Sequence, residues 1–344
     1  MHETLLIDLS LIIVLGIAAQ WIAWRLKIPS ILILLVFGFL GGPVTGVLNP
    51  DHLFGELLFP VVSISVALIL YEGGLTLKKS EIMAVGGVVR NLISIGLLVT
   101  WTLTTLCAYY ILALSLPLAI LFGAILVVTG PTVILPLLRM IRPRGNINSI
   151  LKWEGMLNDP IGALLAVLVF ESILAGGLRE ITFLALGGLA KMVLVGGGIG
   201  LLTGYLMMTL LRRRLVPEFL QNAVSISLVV FAFAGSNHFQ AESGLFAVTL
   251  MGIFLANQKK VTVAHIIEFK ENLRVLLLSG LFILLAARLE RDAFAALGWQ
   301  GVFFLVALIT VVRPAAIFLS TMGSGLNWRE KVFLSAMAPR GIVA

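Results

Sequence analysis

Leu151-Lys152-Trp153-Glu154-Gly155-Met156-Leu157-Asn158-Asp159-Pro160 is the stretch on which the reading turns. It opens an apolar run over 149–174, long enough for a membrane-spanning helix, which needs about 20 such residues. At about 1.5 Å per residue, Asp159 lies roughly 13 Å in from position 150, near the middle of a bilayer. An aspartate is too short to reach water from there, and intramembrane charges are costly and functional by default. The alternative is a structural carboxylate held by a buried arginine. Glu154 sits one turn before Asn158, so these share a face; Gly155 and Asp159 share another. A glycine there leaves room beside the carboxylate for an ion or water.

The rest of the chain carries the same signature. Of its 344 residues, 60% are hydrophobic and 12% charged, against about 45–50% and about 25% in soluble domains. Twelve apolar segments are expected: 5–24, 28–41, 56–76, 84–112, 117–138, 149–174, 182–211, 218–236, 241–257, 269–287, 296–321 and 330–344. The last runs into the chain end, so the sequence reads as one transmembrane domain over 1–344, truncated within helix twelve. Assigning alternate loops to opposite sides places 18 of the 24 Lys and Arg residues on one side, Arg274 among them, and 3 on the other. Basic loops stay cytoplasmic, which predicts a multi-pass inner-membrane protein with its N-terminus outside. The net charge of +7 then needs no nucleic-acid partner; the bilayer is the partner. Trp21, Trp24, Trp153, Trp299 and Trp328 fall near segment ends, as an interfacial belt requires. Glu3 and Asp8 ahead of the first apolar run, with Arg25 and Lys27 after it, argue for a retained first helix over a cleaved signal. The single Cys107 permits no disulfide within the chain, and the four histidines are scattered, so neither a disulfide framework nor a metal cluster is expected.

Lys191, Arg313 and Arg340 are the remaining basic residues, all inside apolar segments. Lys191 can snorkel outward. Arg313, before Pro314 and near mid-depth, needs a carboxylate. Glu154 is the first choice, in a structural pair between helices six and eleven, with Asp159 the alternative. Glu72 ends segment three about one turn inside the cytoplasmic boundary, either as a carboxylate reaching the interface or as a functional acid. Two segments are interrupted: segment five by Val128-Thr129-Gly130-Pro131-Thr132 and segment twelve by Ala338-Pro339-Arg340-Gly341. Proline removes a backbone donor and disfavours helix at the preceding residue. Segment five enters from outside and segment twelve from inside, and breaks at corresponding places of two inverted halves point to a transporter site. The halves would span approximately 5–174 and 218–344.

In this order, Glu72-Gly73-Gly74, the Thr-x-Pro break, Glu154…Asn158-Asp159, Glu242-Ser243-Gly244, Arg313 and Ala338-Pro339-Arg340-Gly341 resemble monovalent cation/proton antiporters of the NhaP/NHE type. The resemblance covers nearly the whole chain. It implies an all-α, inverted-repeat antiporter fold with two broken crossed helices, of whose thirteen transmembrane helices about twelve are present, and a homodimer. It implies that Asp159 binds the cation and the proton, with Asn158 as neighbour, Thr129 as a carbonyl or hydroxyl ligand and Glu72 as an accessory acid, and that Glu154 and Arg313 form a structural ion pair. The transported species would be Na⁺ or K⁺ and H⁺, with no cofactor. Many members carry Asp at the position of Gly130 and Ser at that of Gly155, so the ligand shell here departs from the family pattern.

A sodium-coupled symporter of an organic anion is the second reading, with Arg340 binding a substrate carboxylate; a central Asp159 argues against it. An intramembrane enzyme is disfavoured: there is no His/Glu pair at metal spacing, no Gly-x-Ser-x-Gly, and no second intramembrane Asp to pair with Asp159.

Overall fold

The computed structural model describes residues 2–143, 145–175, 181–261 and 264–338, without the side chains of 2–5, 131, 181–186, 264–271 and 291–297. Every regular element among them is helical. The first hairpin is α1 (His2–Leu26) and α2 (Ser30–Phe39), the latter extended by a π-turn at Leu40–Val44. Short α3 (Pro50–Phe54) leads into α4 (Leu58–Leu75). Helices α5 (Lys79–Asn91) and α6 (Leu97–Ile111) join across a π-turn at Leu92–Gly96. Then come α7 (Leu116–Val127), α8 (Pro131–Ile141), α9 (Ile147–Leu174), α10 (Ile181–Arg212), α11 (Glu218–Phe239), α12 (Ser243–Asn257) and α13 (Ala264–Ala287). The described chain ends with α14 (Arg291–Ala307), a π-turn at Leu308–Val312, α15 (Arg313–Ser320) and α16 (Trp328–Ala336).

Seven helical stretches among the described residues are long and apolar enough to cross a bilayer; α7 and α8, bent by 44° at their break, make an eighth span as a pair. Three shorter apolar helices, Ser30–Val44, Ser243–Asn257 and Asn272–Ala287, account for segments two, nine and ten. Some boundaries differ from the sequence reading. Segment four begins earlier, at Lys79, because the polar first turn of α5 is already helical. Helix α16 begins at Trp328 and stops at Ala336, with Pro339, Arg340 and Gly341 outside the described residues. Large apolar side chains face outward along the spans, Phe219 at 82% exposed and Leu194 at 75% among them. In water such a surface would be an aggregation liability; against lipid it is the expected exterior.

Without a hydrophobic force between helices in lipid, small residues let backbones approach. Helix α12 lies among α4, α10 and α11, and glycine sets its distance from α4. A Cβ on Gly252 would sit 2.3 Å from the Tyr71 carbonyl oxygen, and one on Gly74 2.5 Å from that of Thr249. The Tyr71 hydroxyl, 3.0 Å from Ser225 Oγ, ties α4 to α11.

Trp153 departs from the interfacial belt. It is 5% exposed, within the main apolar core, whereas Trp21, Trp24, Trp299 and Trp328 are 62–78% exposed. Proximity to a segment end does not set which face of a helix a residue occupies. Trp153 falls on the inward face of α9, with Met156.

Candidate functional site

The site forms where α9 passes the break between α7 and α8. Helix α7 ends at Val127, and the chain runs extended through Val128 (ψ 126°) and Gly130 (ψ 122°) before α8 starts at Pro131. The break frees carbonyl groups at the end of α7, which need donors when buried. Asn158 supplies one: its Nδ2 donates to the Val127 carbonyl at 2.9 Å and to the Thr129 hydroxyl at 3.1 Å. Gly162, one turn on, lets the extended segment lie against α9, since a Cβ there would meet Val128 Cγ2 at 2.6 Å. The Asn158 Oδ1 and the Thr132 hydroxyl, both buried, have no hydrogen-bond partner among the described residues. These are oxygen ligands available to a cation or a water.

Asp159 is buried in the middle of α9. Among the described residues no basic side chain pairs with it. Glu242 precedes α12 in a left-handed conformation (φ 61°), uncommon for a residue other than glycine. The sequence reading took Glu242 only as part of a motif.

The other buried acids are charge-balanced. Glu154 accepts from Arg313 Nη1 at 2.5 Å and Nη2 at 3.0 Å, a two-pronged pair with both side chains 5% exposed. Arg313 Nε donates to the Met337 carbonyl at 3.0 Å, just past the end of α16. One guanidinium thus holds α9, α15 and the end of α16 together. It is presented by the π-turn at Leu308–Val312, where the helix widens ahead of Pro314, which cannot donate a backbone bond. Glu154, Asn158, Thr129 and Arg313 line one small cavity of about 10 Å³, room for about one water.

Glu72 lies in the last turns of α4. It is buried, and its Oε1 is 2.7 Å from Arg274 Nη1, with the two side chains 5% and 6% exposed. The sequence reading counted Arg274 among the cytoplasmic loop charges. The fold places it inside α13, and this pair was missed. The signal was present in Glu271-Asn272-Leu273-Arg274-Val275-Leu276-Leu277-Leu278, where Arg274 already stands within the apolar run. Lys191, inside α10, is exposed.

The transmembrane sodium/hydrogen exchanger family matches residues 10–344. The K(+)/H(+) antiporter NhaP of Alkalimonas amylolytica is 28% identical over 349 residues, covering 97% of this chain and 58% of the relative's length. The Na(+)/H(+) antiporter 1 of Methanocaldococcus jannaschii is 26% identical over 351 residues, covering 97% of this chain and 80% of that relative. The solved structure of the sodium proton antiporter MjNhaP1 from the same organism has the same fold, with a TM-score of 0.83 at 24% identity over 99% of this chain and 84% of that one. The chain therefore spans a little over half the length of the first of these relatives and four fifths of the second.

Proposed function

We propose that this chain, which belongs to the sodium/hydrogen exchanger family, exchanges one monovalent cation, Na⁺ or K⁺, for one proton through Asp159. The observation that carries this is a difference among buried acids. Glu72 and Glu154 each have an arginine, while Asp159 has no basic partner among the described residues. A buried carboxylate without a counter-charge is untenable as a bare ion. It must hold a proton or a cation, and one carboxylate does not hold both. Asn158, next to it in α9, and Thr129 at the break supply the further oxygen atoms that this reading assigns to the ion.

Because Glu72 and Glu154 are balanced by arginine, only Asp159 changes partner through the cycle. The loaded site then carries the same net charge in both half-cycles, and exchange is electroneutral. The matching π-turns of α5–α6 and α14–α15 favour inverted repeats: the turn at Leu92–Gly96 touches α15, and the turn at Leu308–Val312 touches α6. The excess of basic loop residues on one side favours an inner-membrane orientation with the N-terminus outside.

The test is exchange in vesicles clamped at zero and at negative potential, with Na⁺, K⁺ and Li⁺ supplied separately. One net charge crossing the membrane is worth about 2.3 kcal/mol per 100 mV. Equal rates at both potentials support the electroneutral scheme. Rates diverging several-fold would mean that a second carboxylate cycles, with Glu242 the first to examine.

A further inference from the structure

The small cavity between the broken segment and the Glu154–Arg313 pair has a wall that the exchange mechanism does not use. Gly96 and Thr100 close it from the α5–α6 span and Ala316 from α15, and Asn158, Thr129 and Arg313 complete it. Its volume of about 10 Å³ matches about one water.

What these walls leave unpaired decides what fits. Asn158 Nδ2 donates to the Val127 carbonyl, which can only accept. That fixes the amide, so Oδ1 is its other end and an acceptor. Oδ1 is buried and has no hydrogen-bond partner among the described residues. Arg313 carries five N–H groups; three are taken among the described residues, one by Met337 and two by Glu154. Thr100 is 6% exposed, and its hydroxyl makes no hydrogen bond to a described residue. Spare donors and a spare acceptor thus belong to the walls of one space. A cation cannot satisfy both kinds, because it accepts nothing, and here it would lie beside a guanidinium. A water donates to Oδ1 while accepting from Thr100 and Arg313, which gives it the two to four polar partners that a buried water needs.

We propose that one water in this cavity joins Asn158 Oδ1 to Thr100 and Arg313, and that Thr100 is through it a positioning residue for the break. Asn158 holds the broken segment at Val127 and Thr129, and an amide bonded at both ends cannot turn. Oδ1 has two lone pairs, so a water on one leaves the other open to the ion. The same water lets the guanidinium that joins α9, α15 and the end of α16 steady the break as well. Thr100 itself touches neither ion nor proton. The effect on transport rests on the exchange reading given above; the water does not.

Two measurements on the protein at its native length test this. A structure at a resolution that shows ordered waters should have density in this cavity about 2.7–3.2 Å from Asn158 Oδ1. Exchange in proteoliposomes then compares wild type with Thr100→Val, which keeps the shape and removes the hydroxyl, and with Thr100→Ser, which keeps the hydroxyl and removes the methyl. Thr100→Val should raise the half-saturating cation concentration roughly fivefold, the net worth of about one hydrogen bond, with the maximal rate near that of wild type. Thr100→Ser should bring the half-saturating concentration back towards wild type. A packing role would instead make Thr100→Ser no better than Thr100→Val and would lower the maximal rate with the amount of folded protein. A dry cavity overturns the proposal, as does a wild-type half-saturating concentration in Thr100→Val or equal impairment in the two variants. The density does not depend on which residue carries the ion, so failure of the Asp159 mechanism, seen in Asp159→Asn, is told apart from failure of the water.

Discussion

Removing one member of the Glu154–Arg313 pair should cost more than removing both. Both side chains are 5% exposed, so Glu154→Gln leaves a bare guanidinium and Arg313→Gln a bare carboxylate. Breaking a buried pair from one side costs about 3–5 kcal/mol. Arg313→Gln also strips the Met337 carbonyl of its Nε donor. The double variant Glu154→Gln/Arg313→Gln buries no charge. Its main loss is the unsatisfied Met337 carbonyl together with weaker amide contacts, about 2 kcal/mol in all. The double should therefore be more stable than either single by roughly 1–3 kcal/mol, the range of coupling expected for side chains in direct contact. Thermal unfolding of the three purified variants in one detergent, read as Tm, measures the order directly. A double variant whose Tm falls at or below that of the worse single would show that the two charges do not balance one another, and the reasoning would fail.

Three further outcomes follow from other contacts. Arg274→Gln should lower Tm by leaving Glu72 without its guanidinium, and Glu72→Gln added to it should restore part of the loss; no recovery would argue against charge balance at that pair. Gly252→Ala should destabilise by about 1–3 kcal/mol, the usual cost of forcing an extra group into packed space, because its Cβ would sit 2.3 Å from the Tyr71 carbonyl oxygen. Gly235→Ala, with open space around its Cβ, should leave Tm within a degree or two, and equal effects would dissociate the α4–α12 crossing from glycine. Asn158→Ala should raise the cation concentration needed for half-maximal exchange by removing the donor to Val127 and Thr129; an unchanged value would take Asn158 out of the site.

The spans and the break at Gly130-Pro131 were legible because they depend on local properties: apolar length, and a proline that cannot donate. Asp159 stood out for the same reason, being a short acid too far from either boundary to reach water. The Arg274–Glu72 pair was hidden because it joins residues 202 positions apart and because Arg274, although inside the apolar run, was counted with the loop charges beside it. The π-turns at Leu92–Gly96 and Leu308–Val312 lie at Gly96 and beside Pro314, but a lone glycine or proline in an apolar run does not by itself tell a widened turn from a continuous helix. Trp153 was misplaced because depth in the bilayer was read from position along the helix, while burial depends on which face of α9 it occupies.

The most direct test of the central claim is proton movement in proteoliposomes driven by an imposed Na⁺ or K⁺ gradient, comparing the wild type with Asp159→Asn at matched protein level and Tm. The account predicts exchange in the wild type with at least one of the two ions and none in the variant, because an amide can hold neither a proton nor a counter-charge for the cation. Full exchange in Asp159→Asn would contradict it.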